Sequence, residues 1–158
     1  MLDQLKLLLR RSPRVSSHPI LGELHYKRHL PAWQGKFLQR NKNLFLSVGG
    51  NKQQPDEKLT DLAVIVADRL AEFEELALSY QSTLPRSFAP ERLELTGFEA
   101  FYPPKAWISQ TLTRHNPRAL EVVKPSEPMF ALVFSITDDR NVLDVIFARE
   151  TPVDADYH

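Results

Sequence analysis

Histidines are the residues of this chain that could hold a metal ion or transfer a proton. They are His18, His25, His29, His115 and His158. His25 and His29 have a spacing that suits metal binding on a helix, but the residues around them alternate as in a strand and a turn. An extended chain would place the two about 13 Å apart, which is too far for one ion. No H-E-x-x-H pattern accompanies them, so the sequence predicts no metal site and no cofactor.

The other groups that could catalyse a reaction are equally scattered. The chain has no cysteine, and it contains no G-x-S-x-G, P-loop or G-x-G-x-x-G motif. Gly49-Gly50 is typical of a turn. Glu94 and Glu99 flank a predicted strand without a visible acid–base partner, and catalysis would need a polar pocket that joins one of them to His115. We therefore predict that the protein is not an enzyme.

The elements that position these residues are predicted from period-two alternation. Three strand-like stretches, ILGELHYKR, AWQGKFLQ and NLFLSV, are followed by a helix from Pro55 to about Tyr80. A fourth strand is predicted at 92–103, and MFALVFSIT and VLDVIFAR form a hairpin around the turn 138–141. We predict an α+β fold: an antiparallel sheet of about five or six strands with one long amphipathic helix packed on a face.

The two remaining segments are less regular. Residues 1–11, with leucines at helical spacing, predict a short N-terminal surface helix. They do not fit a signal peptide, because the basic residues follow the apolar stretch. Residues 103–128 hold five prolines and form an irregular segment. The length of 158 residues predicts a single domain, 1–158.

Charge is distributed unevenly along the chain. The net charge is zero, but residues 1–52 hold ten bases and two acids, whereas residues 53–75 hold seven acids and two bases. Such a split concerns association rather than fold. The absence of cysteine suits a reducing cytoplasm, and no apolar run approaches the ~20 residues that span a bilayer. We predict a cytoplasmic protein without membrane contact.

The acidic residues of the long helix form a candidate binding surface. A helical wheel places five carboxylates within about 60°, opposite the apolar stripe, with a valine at the centre. These predicted partner-binding residues are Glu57, Asp61, Val64, Asp68, Glu72 and Glu75. The sequence allows two interpretations: a solvated face whose repulsion is screened, or a ridge that selects a protein partner with a basic surface.

A competing hypothesis uses the basic N-terminal third. Lys27, Lys36, Arg40 and Lys42 would form the outer face of a sheet whose inner face carries Trp33 and other aromatic residues. Such a face could bind a nucleic acid or another anionic ligand. The sequence pI near 7.0 disfavours this alternative.

Part of the chain resembles small bacterial domains of unknown function. The resemblance is carried by HPILGELHYKRHLPAWQGKFLQRNKNLFLSVGGN before an acidic helix and by FALVFSITDDRNVLDVIFARETPVDA at the end. The matching positions are Leu21, Gly22, Glu23, Leu24, Trp33, Gly35 and Lys36. Some of these domains are similar to immunity proteins, which neutralise a toxin by binding it. The resemblance thus implies a non-catalytic protein-binding module without cofactor, whose partner and oligomeric state the sequence does not specify.

Overall fold

In the computed structural model, which describes residues 14–158, eight strands form one sheet in the order in which they follow along the chain. The predicted N-terminal helix 1–11 lies outside the described residues. The strands are β1 Val15–His18, β2 Gly22–Lys27, β3 Ala32–Gln39, β4 Lys42–Gly49, β5 Leu93–Phe101, β6 Met129–Ile136, β7 Val142–Ala148 and β8 Thr151–Tyr157. Every neighbouring pair is antiparallel except β4–β5, which is parallel.

The first four strands form a meander joined by tight turns. Arg40 and Asn41 both have positive φ, 46° and 63°, as the two central residues of a type I′ hairpin turn do. They join Gln39 to Lys42, which are paired across β3 and β4. Trp33 points toward the sheet face that the long helices cover, and it is almost completely buried.

Two helices, not one, follow β4. They are α1 Glu57–Asp68 and α2 Leu70–Ser82, with Arg69 between them at φ −107° and ψ 22°. Asp56 is the N-cap of α1, and its side chain accepts a hydrogen bond from the Leu59 N–H at 3.1 Å. The helices carry the chain across the sheet, so that β5 enters beside β4 in the same direction, as in other strand–helix–strand crossovers.

The helices α1 and α2 pack on what we call the front face of the sheet. Its core contains alternate residues of the strands together with one stripe of each helix. Examples are Ala63 and Phe73 from the helices and Phe98, Phe130 and Phe147 from β5, β6 and β7. The rings of Phe130 and Phe147 stack at 4.6 Å, and Phe73 meets both edge-on. This aromatic cluster attaches α2 to the centre of the sheet.

Within residues 14–158, the segment after β5 covers the opposite, back face at its β6–β8 end. A third helical segment, α3, spans residues 105–115 and contains a π-turn at Ile108–Leu112; a 3-10 helix, Pro117–Glu121, follows it. Leu112, Ala119 and Val123 pack on Ala131 and Ile146 of β6 and β7. The segment 103–128, irregular in the sequence-based prediction, therefore holds a second and smaller core.

The predicted α+β class is confirmed, but the predicted architecture is wrong. The structure has one mixed eight-stranded sheet and three helices instead of an antiparallel sheet of five or six strands with one long helix. The predicted strands do not include β1 and β8, because neither shows a clear apolar alternation. Strands β4 and β5 are parallel because two helices connect them. Short connections make consecutive strands antiparallel, whereas a helical crossover makes them parallel. The assignment of 1–158 to a single domain stays a prediction.

Candidate functional site

The acidic residues predicted on the helix are all exposed to solvent in the structure. Glu57, Asp61, Val64 and Asp68 share one side of α1, because their spacings of four, three and four residues are helical. Val64 is half-buried and packs at the margin of the front-face core. The helical spacing predicted for these four residues therefore holds in α1, while their role in binding a partner stays a prediction.

The other two carboxylates follow the break at Arg69 along the chain. Glu72 and Glu75 belong to α2. The Arg69 guanidinium donates to both Glu72 oxygens, at 2.9 Å and 2.6 Å, and also to Glu150 in the β7–β8 turn. These bonds lower the pKa of Glu72 and raise that of Arg69. Glu72 is already paired and contributes little negative charge to a partner.

An apolar groove that the sequence prediction missed runs beside the acidic side of α1. It has a volume of about 450 Å³. Ile20 is 60% exposed, Leu38 is 68% exposed and Ile65 is 49% exposed, and all three line it together with Val64 and Asp68. We call this site the α1 groove.

Two signals in the sequence point to this groove. Leu38 is out of phase with the buried alternation of Trp33 and Phe37, so a large apolar side chain stands on the solvent side of β3. Ile20 follows Pro19 in a turn rather than lying inside a strand. Grouped exposed apolar residues of this kind mark binding surfaces more often than scattered ones do.

The basic residues of the competing hypothesis are exposed but do not form one patch. Lys27 and Lys36 border a shallow depression on the back face, with a volume of about 520 Å³. Arg40 and Lys42 lie at the β3–β4 turn, beside a different depression. Lys42 is paired with Glu94 at 2.7 Å, so its charge is partly neutralised.

The histidines are likewise dispersed. His25 forms an ion pair with Glu23 at 2.8 Å, and His158 contacts Asp144 at 3.0 Å. Among residues 14–158, no group of three or more His, Asp or Glu side chains is placed to hold a metal ion. His115 lines a pocket with Asp154, whereas Glu94 lines a different depression with Arg40 and Lys42.

This second cavity, the β8 pocket, wraps around the last strand at the edge of the sheet. Its volume is about 620 Å³. It is lined by the end of α2, the loop after it, the end of α3 and strands β7 and β8. These residues are Tyr80, Leu84, Pro85, Arg86, Phe88, His115, Asn116, Leu143, Asp154, Ala155 and Tyr157. The sequence did not predict this pocket, because its residues are distant in the chain and come together only through the order of the strands in the sheet.

The back face also holds two half-buried carboxylates. Burial raises the pKa of Glu99, and the charge of Asp144 raises it further. Burial likewise raises the pKa of Asp144, while the hydrogen bond to His158 opposes this shift. The two acids therefore weaken the folded state when both are ionised.

Neither a membrane span nor a relative adds to this description. Within residues 14–158, the helices are too short and too polar to cross a bilayer. The chain matches no family model, no curated protein and no solved structure.

Proposed function

We propose that this chain is a non-catalytic protein-binding module of the bacterial cytoplasm, and that it acts as an immunity-type inhibitor that neutralises a toxin by direct binding. The observation that carries the proposal is the contiguity of the α1 groove with the acidic side of α1. An apolar recess with charged neighbours is the usual arrangement of a protein-binding site.

The exposed side chains of the groove supply the attraction. Ile20, Leu38 and Ile65 remain about half exposed or more in the folded chain. Covering them with a partner's apolar side chain would remove that surface from water, which contributes roughly 25 cal/mol per Å² before the costs of association. The groove is therefore the proposed energetic centre of the interface.

The carboxylates around the groove supply selectivity. Asp61 and Asp68 are exposed, and in the described part of the chain neither takes part in an ion pair. Their field attracts a basic surface, accelerates its encounter with α1 and repels acidic proteins. The proposed partner accordingly presents Lys or Arg around an apolar side chain.

Only one side of the sheet is assigned to this interface. Helix α1 packs on the front face, whereas the segment that follows β5 packs on the back face. Residues 103–128 therefore do not extend the surface of α1, and the proposed interface consists of α1 and the adjoining ends of β2 and β3.

A charge-reversal comparison tests the proposal. The double variant Asp61→Lys/Asp68→Lys is compared with Glu91→Lys/Glu121→Lys, which changes the net charge equally at exposed positions away from the groove. A partner captured from bacterial extract by the wild-type chain should be lost with the first variant and retained with the second. Equal retention by both variants would remove α1 from the interface.

Toxin neutralisation needs its own measurement. The captured protein is expressed alone in bacteria, and growth is followed with and without this chain. We expect growth arrest that the wild-type chain relieves and that the Asp61→Lys/Asp68→Lys variant does not. A captured protein that leaves growth unchanged would contradict the inhibitor assignment while leaving protein binding intact.

A further inference from the structure

The β8 pocket has an aromatic wall that is held in place before any ligand arrives. The backbone of Phe88 makes two hydrogen bonds with the buried Gln81 side chain, at 2.8 Å and 2.9 Å. The Tyr157 hydroxyl donates to Asp139 and accepts from Asn141, both at 2.7 Å. The Phe88 and Tyr157 rings stack with their centroids 5.7 Å apart. A wall fixed in this way needs little ordering when a ligand binds.

The polar feature of the pocket is a buried carboxylate. Asp154 is only 9% exposed, and one of its oxygens accepts from the Ala155 N–H at 2.9 Å. None of the ion pairs within residues 14–158 includes it. Burial is also the main cause that raises its pKa. A buried carboxylate without a paired cation is costly, so a positive group beside it would be favourable.

A cation of the chain itself already contacts the aromatic wall. The Arg86 guanidinium lies over the Tyr157 ring, 3.4 Å from its centroid, where the cation–π attraction holds it. Burial raises the pKa of the Tyr80 phenol, and Tyr80 lies close enough to Asp154 for the carboxylate charge to raise it further. The space between Tyr80 and Asp154 thus offers both a carboxylate and a phenol ring to an incoming cation.

We propose that the β8 pocket binds a small protonated primary amine with a compact apolar or aromatic body. The ammonium group would bind the Asp154 carboxylate beside His115 and Trp107, and the body would pack against Leu84, Leu143 and Ala155. A volume of about 620 Å³ lies within the range of ordinary small-molecule sites. The site is distinct from the α1 groove, and the proposal stands without the protein-binding function.

Benzylamine is the probe, with benzyl alcohol and benzoate as ligands of similar shape but different charge. Binding to the intact chain is followed by two-dimensional amide NMR. We expect shifts of the amides around Asp154, Ala155 and His115 with benzylamine and at least a tenfold weaker effect with benzyl alcohol, the scale of one charge-assisted hydrogen bond. Equal binding of amine and alcohol, or stronger binding of benzoate, would overturn the proposal.

The variant Asp154→Asn keeps the size of the side chain and removes its charge. Asp156→Asn is the matched control, since Asp156 is exposed on the same strand. We expect the first variant to lose about tenfold in benzylamine affinity and the second to bind as the wild type does. Unchanged affinity in Asp154→Asn would also overturn the proposal. The three-probe comparison on the wild type decides the question if the variant does not fold.

Discussion

The Gln81 side chain bonds both backbone groups of Phe88: its Nε2 donates to the carbonyl at 2.8 Å, and its Oε1 accepts from the N–H at 2.9 Å. Gln81 is only 1% exposed. The buried amide of Gln81 thus holds the loop after α2 against the helix. Because Phe88 belongs to this loop, the same two hydrogen bonds position the aromatic wall of the β8 pocket.

Gln81→Ala should be strongly destabilising. It leaves the N–H and carbonyl of Phe88 without their partners and opens a cavity, so we expect a loss of about 2–3 kcal/mol in the free energy of unfolding. Urea denaturation measures it, and Gln110→Ala, at an exposed position of α3, should change stability by less than about 0.5 kcal/mol. A similar, small effect at both positions would show that the Phe88 loop does not depend on Gln81.

Gly97→Ala tests the close approach of β4 and β5. A Cβ at residue 97 would lie within 3.0 Å of both the carbonyl oxygen and the ring of Phe45. We expect a loss of about 3 kcal/mol or more, since neither backbone can move without disturbing the parallel pair. Phe45→Ala should not rescue the variant, because the carbonyl clash remains. If the double variant recovered wild-type stability, the steric clash would involve only the Phe45 ring and not its carbonyl oxygen.

The sequence was sufficient for those strands in which large apolar residues recur at every second position. The hairpin of β6 and β7 and the strand β3 were predicted near their observed bounds, because Phe130, Leu132 and Phe134, or Trp33 and Phe37, mark one face. Strand β8 was not predicted, because Pro152 and Asp154 interrupt any apolar alternation. Its pairing with β7 also contains a register shift. Short edge strands are defined by their neighbours more than by their own residues.

For the candidate surface, too, the sequence was sufficient only where a single element follows a regular periodicity. Periodicity predicted Val64, Asp68 and Glu72 on one continuous helix, whereas the structure divides that helix at Arg69 into α1 and α2. The pairing of Arg69 with Glu150 at this break could not be predicted, because the two residues are distant in sequence. The β8 pocket could be predicted even less from the sequence. Tyr80, His115 and Asp154 are distant in the chain, and only the order of the strands in the sheet brings them together.

Asp56→Ala tests the start of α1. The Asp56 side chain accepts from the Leu59 N–H at 3.1 Å and from the Tyr102 hydroxyl at 3.2 Å. Loss of an N-cap of this kind costs about 1 kcal/mol, so thermal unfolding should begin at a lower temperature. Asp56→Asn preserves an accepting oxygen and should retain most of the stability. Equal losses in the two variants would show that charge rather than the cap bond stabilises the helix.

The basic residues should give little affinity for nucleic acid. Lys27 and Lys36 lie apart from Arg40 and Lys42, and Lys42 is paired with Glu94. We expect fluorescence anisotropy of labelled single-stranded DNA to show no binding at low salt, where phosphate contacts are strongest. Tight binding that weakens steeply with salt and is lost in Lys27→Glu/Lys36→Glu would revive the competing hypothesis.

Two glutamates should affect the pH dependence of stability in opposite directions. Burial raises the pKa of Glu99 above its ordinary value of 4.5. Its contribution to stability is therefore fully present below pH 4.5 and is lost as the pH rises through the folded-state pKa. The hydrogen bond from Lys42 lowers the pKa of Glu94, so the contribution of Glu94 is present above pH 4.5 and is lost as the pH falls through its folded-state pKa.

Neutral amides at the two positions separate these effects. Relative to the wild type, Glu99→Gln should be more stable at neutral pH, and this difference should vanish toward pH 4, because the buried position no longer holds a charge. Glu94→Gln should be slightly less stable at neutral pH, since it loses an exposed ion pair, and should match the wild type in acid. Urea unfolding across this pH range measures both. A Glu99→Gln variant that is less stable than the wild type at neutral pH would mean that the ionised carboxylate of Glu99 is stabilised on the back face, contrary to the burial seen there.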